Sequence, residues 1–233
     1  MTIIITLGFW APWIEALRIG HRIALLEWLA LELSRLGLLR FTAASPVVIV
    51  AGVLFAAAAV VLRIWGTAYL GPGIVNHSQM QSNMVVADGP YRHMRNPLYL
   101  GSWCMFAAMA FIMPPTGALF AMALLTVFLL RLILSEEAFL TAQLGEPYRV
   151  YLHTVPRLVP RLLPALPPSG SKPRWLHAVL AELNPIGVFI TLAVVSWSYD
   201  NLLMIKAIIV AFGISLVVRA LTPGTFGTPS PTE

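Results

Sequence analysis

Charge is scarce in this sequence, lysine is nearly absent and there is one cysteine; each scarcity excludes something. Asp, Glu, Lys and Arg make up 11% of the 233 residues, against 58% hydrophobic residues and a mean hydropathy of +0.81. A soluble domain carries about 25% charged residues, so the composition is that of a membrane protein rather than of a large soluble core. The single cysteine, Cys104, sits in an apolar run and excludes both an intrachain disulfide and a cysteine-ligated metal site. The five histidines (His21, His77, His93, His153, His177) have no metal-ligand spacing, so no metal is expected. No GxGxxG follows a strand pattern, there is no Walker loop, and no Ser-His-Asp order stands out. The opening "MTIIITLGFWAPW" lacks a basic n-region and a small-residue cleavage site, so a removable signal peptide is not expected. The net charge of +5 comes mostly from arginines clustered between apolar runs. That pattern suits cytoplasmic loops beside anionic lipid, and no nucleic-acid partner is expected.

What is present is a series of apolar runs. Residues 41–62, "FTAASPVVIVAGVLFAAAAVVL", carry no charge and match the ~20 residues that cross a hydrocarbon core of about 30 Å. Residues 96–130 are also uncharged, and one helix of that length would overshoot the bilayer. The "MPPTG" at 113–117 predicts instead two spans, about 98–113 and 117–135, in a tight Pro-broken hairpin. A second hairpin is expected from 183–199 and 201–218, broken around Asp200, with Lys206 near enough to an end to snorkel. At the N-terminus, 2–17 and 23–39 read as an early helical hairpin. The alternative for 23–39 is an interfacial amphipathic helix, with Glu27, Glu32 and Arg35 among leucines. The expected fold class is all-α, a polytopic membrane protein of about 5–7 helices. Its expected divisions are membrane helices over 1–70, a core over 71–175 containing the 98–135 hairpin, a C-terminal hairpin over 176–222 and a disordered tail over 223–233.

A hairpin at 98–135 puts 71–97 and 136–175 on one side. Those segments hold Arg92, Arg95, Arg149, Arg157, Arg161, Lys172 and Arg174, whereas the turn at 114–117 has no basic residue. The positive-inside rule therefore places both in the cytoplasm. The sequon Asn76-His77-Ser78 would then be accidental. Two polar clusters stand there. In "DGPYRHMRNPLYLG", Asp88-Gly89-Pro90 is turn chemistry, and Pro97 drives Asn96 out of the helical region to open a helix. The free N–H groups of that helix, with Arg92 and Arg95, could hold a carboxylate or phosphate; the alternative is two interfacial arginines touching lipid headgroups. In "RLILSEEAFLTAQLGEPYRVYLHTVPR", Glu136 and Glu137 sit at the membrane edge, where pairing with Arg95 or a cationic ligand would account for them. Their helix either ends there or continues to about 143 with Gly145 as its stop. Tyr148 and Tyr151 face a pocket or form an aromatic belt. "VPRLVPRLLPALPP" (155–168) cannot be a regular helix. It reads as an extended strap, either a linker or a cover for a site.

"GPYRHMRNPLYLG", an apolar hairpin and then "EEAFLTAQLGEPYRVYLHTVPRLVP", in that order over about residues 85–165, resemble the isoprenylcysteine carboxyl methyltransferase and phospholipid methyltransferase family. These are integral-membrane enzymes that use S-adenosylmethionine. The eukaryotic carboxyl methyltransferases have Arg-His-Pro where this chain has Arg95-Asn96-Pro97, as bacterial relatives often do, so no histidine stands there as a base. The resemblance implies a bacterial-type member in an inner membrane, a cytoplasmic-side cofactor pocket, and a lipophilic or lipid-linked methyl acceptor beside membrane lipids. It implies catalytic roles for Arg95, Glu136 and Glu137, and a cofactor pocket of Tyr91, Arg95, Asn96, Pro97, Tyr99, Glu137, Tyr148 and Tyr151. An amine acceptor would need a base, for which His93 or a glutamate is available. The competing readings are an NADPH-dependent sterol-type reductase and a non-enzymatic transporter or accessory protein. A transporter should carry ionisable residues at mid-span, and the central spans here carry none.

Overall fold

The computed structural model describes residues 23–70 and 87–221. The arm expected at 2–17, the sequon at Asn76 and the tail from 223 lie outside the described residues. The described chain is all-helical: α1 (Leu25–Arg35), α2 (Phe41–Tyr69), a 3₁₀ turn (Gly89–Arg92), α3 (Pro97–Ala110), α4 (Pro115–Leu144), α5 (Glu146–Thr154), α6 (Trp175–Ala181), α7 (Leu183–Val195) with a 3₁₀ extension (Ser196–Ser198), and α8 (Asn201–Leu221). Two helices, α2 and α4, are long and apolar enough to cross a membrane. A third crossing arises if α6 and Leu183–Ser198, bent by 67°, count as one span.

The hairpin forms where "MPPTG" predicts it, with unequal arms. Pro114 precedes α4 and Pro115 opens it, a position where a missing N–H costs nothing. α4 has 30 residues, about 45 Å, whereas α3 has 14, about 21 Å, and falls short of the bilayer core. The span expected at 98–113 therefore ends at Ala110. The next carbonyls are claimed by α1, whose first amides donate from Leu25 to Met113 O (2.7 Å) and from Leu26 to Phe111 O (2.9 Å). Orphan donors of one helix thus satisfy carbonyls beyond the end of another. α1 itself, at 11 residues or about 16 Å, is too short to cross a bilayer. It lays Leu26 and Ala30 against Ala44, Val48 and Ile49 of α2, so the second arm expected at 23–39 is shorter than a span.

α2 also departs from the uncharged run. It passes through Arg63 and Thr67 to Tyr69, for 29 residues. Arg63 is held by a bidentate pair to Glu182 at the α6–α7 bend (Nε–Oε2 2.6 Å, Nη2–Oε1 3.1 Å) and donates to Ser102 Oγ of α3 (2.6 Å). Thr67 adds a bond to Glu182 Oε1 at 2.8 Å. A Cβ at Gly101 would lie 2.7 Å from Arg63 Cγ and 3.3 Å from Ala59 O, so only glycine lets α2 and α3 come this close. Around this contact, Ala56, Ala59, Cys104 and Ala108 pack with Val188, Leu192 and Met204 of the C-terminal helices. Small residues suit such an interface because lipid gives no hydrophobic drive, and close van der Waals packing must replace it. The C-terminal break falls at Asp200 as expected, and its carboxylate accepts the Leu203 N–H (2.9 Å) at the start of α8.

Glu182→Ala should lower stability in detergent by about 3 kcal/mol, because it strands the Arg63 charge, while Arg63→Met with Glu182→Leu should recover most of that loss. Thermal unfolding of the single and double variants checks this.

Candidate functional site

The two polar clusters meet at the start of α3, and Glu137 is the point of contact. α4 runs past the acidic pair to Leu144 and stops at Gly145, whose φ of 65° and ψ of −137° suit glycine alone. Glu137 lies about 33 Å along α4 from Pro115, at the edge of a hydrocarbon core. It is buried, and its carboxylate takes Arg95 Nη1 on Oε1 (3.2 Å) and Arg157 Nη2 on Oε2 (2.8 Å). Glu136, one residue earlier, is exposed and accepts the Tyr99 hydroxyl at 2.7 Å. Adjacent helix positions are 100° apart, so the two acids face different surroundings.

Asn96 precedes α3 with φ −125° and ψ 56°, outside the helical region, as Pro97 requires. Its amide donates to Arg157 O at 3.1 Å, so a residue expected to line the cofactor pocket also holds the strap. Pro97 is buried as the first residue of α3. Tyr148 and Tyr151 of α5 are both buried, with ring centroids 5.7 Å apart. The Tyr151 hydroxyl donates to Tyr91 O (2.9 Å), which fixes the 3₁₀ turn. Burial, then the Glu137 charge, pushes the Tyr148 hydroxyl up to about 12, with Arg95 opposing and Glu136 adding to the rise. Tyr91 and Tyr151 are raised further, chiefly by burial. None of the three serves as a base near neutral pH; they offer ring faces and O–H donors.

The Pro-rich stretch runs antiparallel to the 88–97 loop and is bonded along its length. Arg95 N donates to Pro156 O (2.9 Å), Arg161 N to His93 O (3.1 Å), and Ala165 N to Arg92 O (2.8 Å). The Arg92 guanidinium donates to Leu166 O (2.7 Å), and His93 Nδ1 lies 2.8 Å from Arg161 O. At the far end, Asp88 accepts the Ser169 N–H (2.9 Å), the Ser171 N–H (2.7 Å) and the Ser169 hydroxyl. Polyproline-like backbone makes no internal hydrogen bonds, so its N–H and C=O groups are free to bond outward. Arg161 and Ala165, each directly after a proline, do this.

Among the described residues, two buried side-chain polar atoms have no hydrogen-bond partner: Arg95 Nε and Tyr91 Oη. Tyr91 feels the charge of Glu136, and Tyr148 feels Arg95, Glu137 and Glu136, so these groups share one neighbourhood. An unmet buried donor costs about 1–3 kcal/mol, so these two atoms call for an explanation. The structure thus brings Arg95, Asn96, Tyr91, Tyr99, Glu136, Glu137 and Tyr148 together, with Tyr151 bonded to the Tyr91 carbonyl beside them. Sequence reasoning missed Arg157 as a partner of Glu137 and Asp88 as the clamp on Ser169 and Ser171. The prolines after Arg157 mark the strap, but no local pattern says which carboxylate it meets.

Residues 40–146 match the family model described as phospholipid methyltransferase, which fits the resemblance of the motifs and supports a membrane methyltransferase. The match takes in α2 to α4 and stops before Tyr148, Arg157 and the strap. Neither the curated proteins nor the solved structures yield a match to this chain.

Burial raises the Asp88 pKa, but the hydrogen bonds from Ser169 and Ser171 outweigh it and leave the carboxyl below its usual value. A lowered folded-state pKa means that the clamp contributes fully above about pH 4 and is lost as pH falls through the folded value. Asp88→Ala should therefore abolish amide-exchange protection at Ser169 and Ser171 at neutral pH, whereas in the native chain it weakens only below about pH 4.

Proposed function

We propose that the chain is an integral-membrane, S-adenosylmethionine-dependent methyltransferase of the isoprenylcysteine carboxyl methyltransferase-like type. It moves a methyl group to a lipophilic or lipid-linked carboxylate, amine or thiol at the cytoplasmic face of a bacterial-type inner membrane. The observation that carries this reading is the pair of partnerless buried atoms, Arg95 Nε and Tyr91 Oη, beside an acidic pair at the membrane edge.

The residues present fit the donor. Arg95 retains a free Nε toward a carboxylate after its Nη1 has engaged Glu137. Glu136, exposed and oriented by Tyr99, suits an ammonium. The ring of Tyr148, neutral at working pH, suits a cationic sulfur. Tyr91 adds an O–H donor, and Asn96 and Pro97 close the side next to α3. When bound, the donor supplies a methyl carbon carried on that sulfur, and the acceptor's lone pair takes the carbon as the carbon–sulfur bond breaks.

The chain's own contribution is then alignment and exclusion of water, for which well-oriented reactants gain up to about 7–11 kcal/mol. Glu137 is fully engaged by two arginines, so its role is to position Arg95 rather than to touch the ligand. The strap holds the 88–97 loop against α4 and shields that ion pair from solvent. An amine acceptor would give up its proton to Glu136 or to His93. The latter's Nε2 is the acceptor nitrogen when Nδ1–H donates to Arg161 O.

Calorimetry on the detergent-purified chain should show micromolar binding of S-adenosylmethionine and no binding of NADPH. Arg95→Ala should weaken binding at least about tenfold, or 1.4 kcal/mol. Glu137→Gln should also lower stability, because it leaves Arg95 buried without a counter-charge. Tyr148→Phe should bind like the native chain and Tyr148→Leu should not. Binding of NADPH alone would replace this reading with the reductase one.

A further inference from the structure

The outer edge of the strap is apolar and exposed among the described residues. Leu162 is 98% exposed, Leu163 80% and Val159 78%, although the same stretch is tied along its inner edge at Arg95, His93 and Arg92. An exposed leucine on a loose loop needs no account, but three aliphatic side chains held outward by a hydrogen-bonded scaffold do. On α6, Leu176 is also 75% exposed. The segment's own charged residues have one sign, and the carboxylates that meet it, Asp88 and Glu137, are buried. Residues 155–181 contain Arg157, Arg161, Lys172 and Arg174 and no Asp or Glu, and Arg161, Lys172 and Arg174 are exposed.

The depth of the strap follows from its two anchors. The uncharged run 41–62 covers about 33 Å of α2, which matches a hydrocarbon core of about 30 Å and places Arg63 at its edge. Arg174 N donates to Ala68 O (2.8 Å), and Ala68 is about 8 Å further along α2, in the headgroup layer. At its other end the strap is bonded through Arg157 to Glu137, which α4 carries to the same edge. α6, bent by 67° from the span that follows it, leaves the strap in the same layer.

We propose that the strap is seated in an anionic lipid leaflet, with Val159, Leu162 and Leu163 reaching the acyl boundary while Arg161, Lys172 and Arg174 meet lipid phosphates. A basic and apolar surface at headgroup depth is complementary to that partner, since acidic lipids attract each nearby cation and the aliphatic side chains leave water. The inference requires only that α2 and α4 cross a bilayer, and it stands whether or not the chain transfers a methyl group.

The test uses the full chain with Cys104→Ala, reconstituted in phosphatidylcholine vesicles with and without phosphatidylglycerol. An environment-sensitive fluorophore is placed singly at Leu162→Cys, Leu163→Cys, or Gln143→Cys as a water-exposed control; circular dichroism confirms that each variant keeps its helices. Brominated acyl chains should quench the probes at 162 and 163 and not at 143, and aqueous iodide should do the reverse. Phosphatidylglycerol should increase the lipid quenching, and Arg161→Gln, Lys172→Gln and Arg174→Gln combined should remove that increase. Iodide quenching at all three sites would overturn the proposal by placing the strap in water. Protection at 162 and 163 from both quenchers would overturn it in favour of a protein partner. Lipid quenching indifferent to phosphatidylglycerol would overturn the anionic assignment.

Discussion

A buried carboxylate shared by two arginines organises one end of this molecule. Glu137 joins α4, the loop before α3 and the strap in a single contact, through Arg95 and Arg157. Three segments distant in sequence thereby converge at the membrane edge, where the dielectric is low enough to make the pairing strong and its disruption costly. Everything proposed for the site depends on this arrangement. It holds Arg95 in one orientation with Nε left over, and it leaves Glu136 as the acid that remains exposed to solvent.

A second ion pair performs the corresponding task on the other side of α3. Arg63 and Glu182 fasten α2 and the C-terminal helices to each other, and the Ser102 bond adds α3. Gly101 permits that approach, because a side chain there would displace Arg63. α3 is thus gripped from both flanks, by the Arg63 pair towards α2 and by the Glu137 pair towards α4. A helix too short to cross the bilayer is held in place by polar contacts near its first turns and by packing along the rest.

Much of this was legible in the residues themselves. The low charge and the apolar runs establish a helical membrane protein, since only a helix satisfies its own backbone in lipid at such lengths. Pro114 and Pro115 mark the hairpin turn, Asp200 the C-terminal break, and Pro97 the start of α3, because proline and capping chemistry act within a few residues. The ends of the runs were less legible. α2 continues seven residues past its last uncharged position because Arg63 and Thr67 find partners in Glu182. α3 stops short of Pro114 and Pro115, and α1 takes carbonyls of the turn between.

The sequence by itself determined the helical class, the hairpin and the two polar clusters, with Arg95 at one end of the apolar hairpin and Glu136 and Glu137 at the other. Local chemistry and hydropathy suffice for that, since each acts along the chain. Only the tertiary structure decided that Glu137 and not Glu136 holds Arg95, that Arg157 shares it, and that the strap is bonded to the 88–97 loop. These depend on which helix face points inward and on contacts across tens of residues, and no periodicity or spacing in the chain encodes either.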